Sequence, residues 1–156
     1  MSSPRKKNVA GPSFTEEALV RAAGQDVFDR AGDYVCSEAL SRRVVSGSAL
    51  LGQVYGNYGV YHVHLDVGRR GKLLPSCTCP ADMDFCKHAV ALGRTWLEEP
   101  ESFFNLESIQ ADLEARSKED LITLIKQMVE TCPTVLGVLG VEGFDETEDP
   151  LGEDSW

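Results

Sequence analysis

Residues 77–88, CTCPADMDFCKH, hold three of the chain's five cysteines and one of its three histidines. Thiols at that density need a physical reason. Three buried core cysteines would sit among apolar neighbours, but the intervening Pro-Ala-Asp-Met-Asp is too polar for that. A redox dithiol asks for C-x-x-C rather than C-x-C, and a Cys/His catalytic pair has no use for a third and fourth donor. Iron–sulfur ligation asks for four cysteines at other spacings. A tetrahedral zinc ion takes four thiolate or imidazole donors, and Cys77, Cys79, Cys86 and His88 supply that number. In an extended chain Cys77 and Cys79 point to one face. The six residues that follow, with Pro80 and Asp82 among them, form a loop that brings Cys86 and His88 round to the same point. Cys86 and His88 fall where a helix is expected to begin, and the dipole at a helix N-terminus favours a thiolate.

Four protein donors close the shell, whereas a catalytic zinc keeps a position open. Three thiolates, a neutral imidazole and Zn2+ also sum to −1, which makes the metal a poor Lewis acid for activating water. The expected role is structural. Zinc binding in small finger peptides is worth on the order of 10–16 kcal/mol, at least the net stability of a whole domain.

The surrounding chain agrees with this reading. No run of about 18 apolar residues is present, so no membrane span is expected, and the basic start MSSPRKKNVAGPSF lacks the apolar core of a secretory signal. The expected location is the cytoplasm, where thiols stay reduced and clustered cysteines serve metals or catalysis. Cys36 and Cys132 stand apart from the cluster among apolar neighbours and read as core. The net charge of −10 is unevenly spread: residues 1–97 hold 12 of the 15 Lys and Arg and 9 of the 25 Asp and Glu, a balance of +3, leaving −13 for residues 98–156. Partner arguments therefore apply to each half separately.

Residues 1–12 read as a flexible basic arm carrying Arg5, Lys6 and Lys7. From Ser13, paired with Glu16 as a capping box, a helix with Leu19, Ala22 and Ala23 runs to Gly24, and a short second helix carries Val27 and Phe28. Strands follow in SRRVVSG, ALLGQVYG and GVYHVHLDVG, the last alternating with Tyr61, Val63, Leu65 and Val67 on one face; Gly- and Asn-containing loops make an antiparallel meander the economical reading. Arg69, Arg70 and Gly71 turn the chain into KLLPSCTC. A helix then carries Ala89, Leu92 and Trp96 on one stripe and ends at Pro100. Another, capped by Ser117, carries Leu121, Leu124, Ile125, Met128 and Val129, while TVLGVLGV is ambiguous between helix and strand. The expected fold class is α+β: a small antiparallel β-sheet of about three strands, a zinc knuckle and flanking helices. The expected organisation is a zinc-binding domain over 13–97, a helical extension over 98–141 and a disordered acidic tail over 142–156.

The run Cys77-Thr78-Cys79-Pro80, then Cys86-Lys87-His88 and the apolar helix start Ala89-Val90-Ala91-Leu92, resembles the SWIM-type zinc finger, whose pattern is C-x-C, a gap, then C-x-H. FDRAGDYV and VYHVHLDV upstream resemble the segment before the finger in bacterial members, so the likeness spans roughly residues 26–97. It implies that Cys77, Cys79, Cys86 and His88 bind Zn2+ and that the finger's helix packs on a small sheet. Members occur in Snf2-type helicases, mutator-type transposases, a kinase-linked ubiquitin ligase and recombination proteins, and the finger is proposed to bind DNA or other proteins. This chain has no room for an ATPase or transposase domain.

Other residues weigh less. His62 and His64 share the polar side of a strand with Asp66, a second metal site on paper and a solvated face by default. The glycines at 47, 52, 56 and 59 form no phosphate loop. Arg42, Arg43, Arg69, Arg70, Lys72, Lys87 and Arg94 would form a phosphate footprint if they shared a face, with Tyr55, Tyr58 or Tyr61 for stacking. No Ser/His/Asp set, paired carboxylates or open metal site can be assembled, so no enzyme and no small-molecule substrate is expected. Two partner classes remain: nucleic acid, with DNA first, or a protein such as a Snf2-type helicase docked on the acidic helical half.

Overall fold

Apolar residues at every second position make a strand amphipathic, as along residues 59–67, where Tyr61, Val63, Leu65 and Val67 share one face. The computed structural model describes residues 10–81 and 83–144; residues 1–9 of the basic arm, Asp82 of the finger loop and residues 145–156 of the acidic tail lie outside it. Strands β1 (Leu40–Ser46), β2 (Ala49–Gly56) and β3 (Gly59–Val67) form the expected antiparallel meander. Leu50 and Val54 of β2 and Tyr61, Val63 and Leu65 of β3 are buried on one face. Gln53 and His62 pair across the other, as do Leu51 and His64.

The sheet is larger than the expected three strands, and it is mixed. Strand β4 (Leu73–Cys77) pairs antiparallel with β3, and β5 (Phe104–Asn105) pairs parallel with β1, in the order β4-β3-β2-β1-β5. Pro75 obscures β4 in the sequence because proline cannot donate to a ladder; an edge position, with one side unpaired, tolerates it. β5 is two residues long and carries no periodicity at all. The chain reaches it from β4 through helix α3 (Lys87–Glu98), which carries it from one edge of the sheet to the other.

Before the sheet come α1 (Glu16–Ala23) and α2 (Gln25–Arg30), divided at Gly24, whose φ of 91° ends the first helix. The N-cap of α1 is Thr15, whose hydroxyl accepts from Ala18 N at 3.1 Å, and not the expected Ser13. α3 is the centre of the core: His88 through Gly93, Thr95 and Trp96 are all buried. Gly93 costs helix stability, by about 1 kcal/mol relative to alanine. It lets α3 approach closely, since a Cβ there would stand 3.0 Å from side-chain carbons of both Leu19 and Leu65. Trp96 donates from Nε1 to the Pro12 carbonyl at 3.0 Å and meets Phe103 edge-on, which fastens residues 11 and 12 and the approach to β5. Cys36 is half-buried and Cys132 exposed, so neither is the core cysteine its neighbours suggested. Both stand close to a polar oxygen, Glu98 Oε2 for Cys36 and Thr134 Oγ1 for Cys132.

Contacts divide the chain into two units, one ending at Ile109 and one beginning at Gln110. The second consists of α4 (Gln110–Glu114), α5 (Lys118–Thr131) and α6 (Val135–Val138), with Ser117 capping α5 through Asp120 N as expected. TVLGVLGV resolves as the short helix α6. Among the described residues no helix is long and apolar enough to cross a membrane.

Arg43 joins β1 to the turn that follows α3. Its guanidinium donates to the carbonyls of Leu40 and Ser37 and to Ser102 Oγ, and it pairs with Glu99 at 3.4 Å. Replacing it leaves these acceptors unsatisfied in a half-buried place, so Arg43→Ala is expected to cost about 1–3 kcal/mol in urea unfolding of the zinc-loaded protein. Arg43→Lys should recover less than half of that loss, because an ammonium cannot reproduce the planar fork.

Candidate metal centre

Each donor is placed by a different local device. Cys77 ends β4, and the ladder to β3 runs one residue further: Thr78 N donates to His62 O at 3.1 Å, and His62 N donates to Thr78 Oγ1 at 2.9 Å. Pinned at residue 78, the extended chain turns residues 77 and 79 to the same side. Cys86 is the N-cap of α3 and His88 the second residue of its first turn, both buried.

The four donor atoms all lie within 4.8 Å of one another. His88 presents Nδ1 to the sulfurs, 3.8 Å from Cys77 Sγ and 4.0 Å from Cys86 Sγ. A tetrahedron with Zn–S of about 2.3 Å and Zn–N of about 2.0–2.1 Å has edges of roughly 3.6–3.8 Å, so the two sulfur–nitrogen separations at His88 are within a few tenths of an ångström of those that enclose the ion. The donor set fits Zn2+ in number, chemistry and spacing. When bound, zinc supplies a crosslink between the end of β4 and the start of α3 and no reactive position.

The electrostatics point the same way. The Cys86 thiol is lowered to about 4, chiefly because the Cys77 thiol donates to it, with further help from the His88 ring and from the backbone N–H groups of Ala89 and His88 at the start of α3. Cys77 is correspondingly raised, as the proton donor of that pair and by its burial. A cysteine whose thiolate form is favoured at the helix start is the natural first ligand for a cation.

Residues 61–92 match the protein-family model of the SWIM zinc finger. The segment is a SWIM zinc finger. No curated protein and no solved structure matches the chain. The SWIM match covers β3 from Tyr61 on, β4, the four donors and the first half of α3.

Two residues that hold the SWIM finger's histidine were not legible as such. The His88 imidazole lies between Tyr34, edge-on with centroids 5.0 Å apart, and Tyr61, tilted at 5.2 Å. These rings keep Nδ1 aimed at the sulfurs in the way that outer partners orient metal-ligating histidines. Tyr61 is buried, its hydroxyl accepting from Tyr58 N at 3.2 Å, and is therefore not available for stacking on a ligand. Its place on the apolar face of β3 is the signal that could have shown this; nothing local marks Tyr34. Gly56 belongs to the same arrangement, because a Cβ there would collide with the Tyr61 ring.

The remaining sequence candidates separate. Arg43 is engaged as described above. Arg94 donates to Phe28 O at 3.0 Å with its guanidinium 4.3 Å above the Phe28 ring. Neither is free for a phosphate. Arg69, Arg70 and Lys72 are exposed at the β3–β4 turn, the far end of β4 from Cys77, about 16 Å away at the usual strand rise. Lys87 lies beside the finger, its ammonium 5.3 Å above the Tyr34 ring. His62 and His64 join no metal-ligand group among the described residues.

Removing the metal with a strong chelator is expected to unfold at least residues 73–97, read as lost helical ellipticity and a lowered melting temperature, both restored by one equivalent of Zn2+. An unchanged melting curve after verified metal removal would show that the four donors do not hold the fold together.

Proposed function

We propose that the chain is a non-enzymatic, zinc-stabilised SWIM module for macromolecular contact. In this reading Cys77, Cys79, Cys86 and His88 ligate a structural zinc, and the surface beside them binds nucleic acid, DNA in the first instance. Four protein donors leave no coordination position for water or substrate, which supports a binding role over catalysis. A ligand set of reduced thiols goes with a cytoplasmic location.

The observation that carries the nucleic-acid reading is a concavity of about 110 Å³ against the metal centre, lined in part by Tyr34, Asn57, Tyr58 and Lys87. Tyr58 stands at the tip of the β2–β3 hairpin with 85% of its surface exposed, and Tyr55 nearby is 56% exposed. An exposed ring is costly to leave in water and offers a flat face to an unpaired base, while the adjacent ammonium meets a phosphate. The exposed Arg42, Arg69, Arg70 and Lys72 would add a longer-range attraction on this unit.

Binding of a labelled single-stranded oligonucleotide to the zinc-loaded protein is expected to weaken steeply with salt and to survive removal of residues 142–156. Tyr58→Ala should cost about 1–3 kcal/mol of affinity. Lys87→Gln should make the slope of log K against log salt shallower by about 0.7–1. Absence of binding at low salt, to single strand and duplex alike, would end this reading.

A second reading, a protein adaptor such as one accessory to a Snf2-type helicase, is favoured by a separate observation. None of the described residues of 110–144 is buried, although α5 carries a continuous apolar stripe.

A further inference from the structure

We infer that the helical unit after residue 110 is a docking site for a basic amphipathic helix of another protein, seated in an apolar groove made by α4, α5 and α6. The inference rests on the adaptor reading and names the chemistry of the partner. The groove encloses about 650 Å³, and its walls include Leu113 of α4, Leu121, Leu124, Ile125 and Met128 of α5, and Val135 of α6. Leu113, Ile125 and Met128 are 37%, 39% and 54% exposed, and Ile122 beside them is 45% exposed. A polar groove would be satisfied by water; this one is almost wholly aliphatic and loses free energy wherever it stays wet. Short helices with no buried residue gain little from propensity alone, so covering this stripe is also what would stabilise them.

Charge decides between occupants. Residues 110–156 contain 3 Lys and Arg against 12 Asp and Glu, a balance of −9, and one of the three cations, Arg116, is engaged with Asp112 at 3.2 Å. A second copy of the chain would bring the same −9 against this one, and like charge opposes that association. Residues 145–156 carry six of those acidic groups, which makes the chain's own end a poor occupant of an acidic neighbourhood for the same reason. A helix with Leu, Ile or Phe at i, i+3, i+4 and i+7 and Lys or Arg on its flanks satisfies both the groove and the field. α5 has 14 residues, about 21 Å of helix, which matches three to four turns of such a partner. Met128, the most exposed of the large apolar side chains in the groove wall, is flexible enough to fit different anchors.

The test uses the full-length zinc-loaded protein and three synthetic 18-residue peptides: a basic amphipathic helix with leucine anchors, a scrambled peptide of the same composition, and a version with glutamate replacing the basic residues. The first is expected to bind and to shift the methyl resonances of Ile125 and Met128, with affinity falling as salt rises. The scrambled and acidic peptides are expected to bind at least about tenfold more weakly. Met128→Glu combined with Ile125→Asp should abolish binding while zinc content stays at one per chain; the resonance shifts in the unmodified protein test the same surface should that variant fail to fold. Equal binding of the scrambled peptide, shifts that avoid α5, or a dimer in sedimentation that the double variant dissociates would overturn the inference. The adaptor reading fails separately, if every protein co-purified with the chain is lost on nuclease treatment. Retention of nuclease-resistant partners by the double variant would leave that reading standing and sink the groove.

Discussion

Three sulfurs and one imidazole nitrogen brought within 4.8 Å of one another are the constraint on which the rest of the first unit depends. Left without a cation, such a cluster is costly, because thiolates at this separation repel and thiols in a half-buried site pack poorly with polar neighbours. Zinc converts that cost into a crosslink between the last residue of β4 and the first turn of α3. The consequence reaches well beyond the finger. α3 is the helix against which β2, β3 and α1 bury Leu50, Val54, Leu65 and Leu19, so fixing its start fixes the axis on which the core is laid down.

The histidine is held more elaborately than the cysteines. Its ring is clamped by Tyr34, from the segment after α2, and by Tyr61, from β3, and Gly56 leaves space for the second of these. The same hairpin that positions Tyr61 from inside carries Tyr58 outside, joined through the hydrogen bond from Tyr58 N to the Tyr61 hydroxyl. The metal shell and the surface proposed to meet nucleic acid are thereby parts of one rigid arrangement. A structural metal can set the shape of a binding surface without touching the ligand.

The basic residues illustrate how poorly charge alone predicts an interface. Seven lysines and arginines lie between positions 42 and 94, but Arg43 and Arg94 are spent on carbonyls, a carboxylate and an aromatic ring, and the exposed triplet at 69–72 sits a strand's length from the finger. The acidic half shows the reverse. Its charge was plain in the sequence, while the apolar groove inside it required the bend between α5 and α6 to bring Val135 beside Met128 and Leu124.

What the sequence determined by itself was local. The spacing of Cys77, Cys79, Cys86 and His88, the period-2 pattern of β3, the break at Gly24 and the Ser117 cap each depend on residues within a few positions, and backbone geometry over that distance leaves few alternatives. What only the tertiary structure decided was non-local. β4 and β5 exist because neighbours pair with them, one through an edge that tolerates Pro75 and one through two residues with no pattern of their own. The clamp of Tyr34 and Tyr61 on His88 joins residues 27 or more positions apart, and the exposure of Cys132 follows from which face of the second unit is left uncovered. Such contacts arise from the packing of whole elements, whose free energy is shared among many residues and is written in no single stretch of the chain.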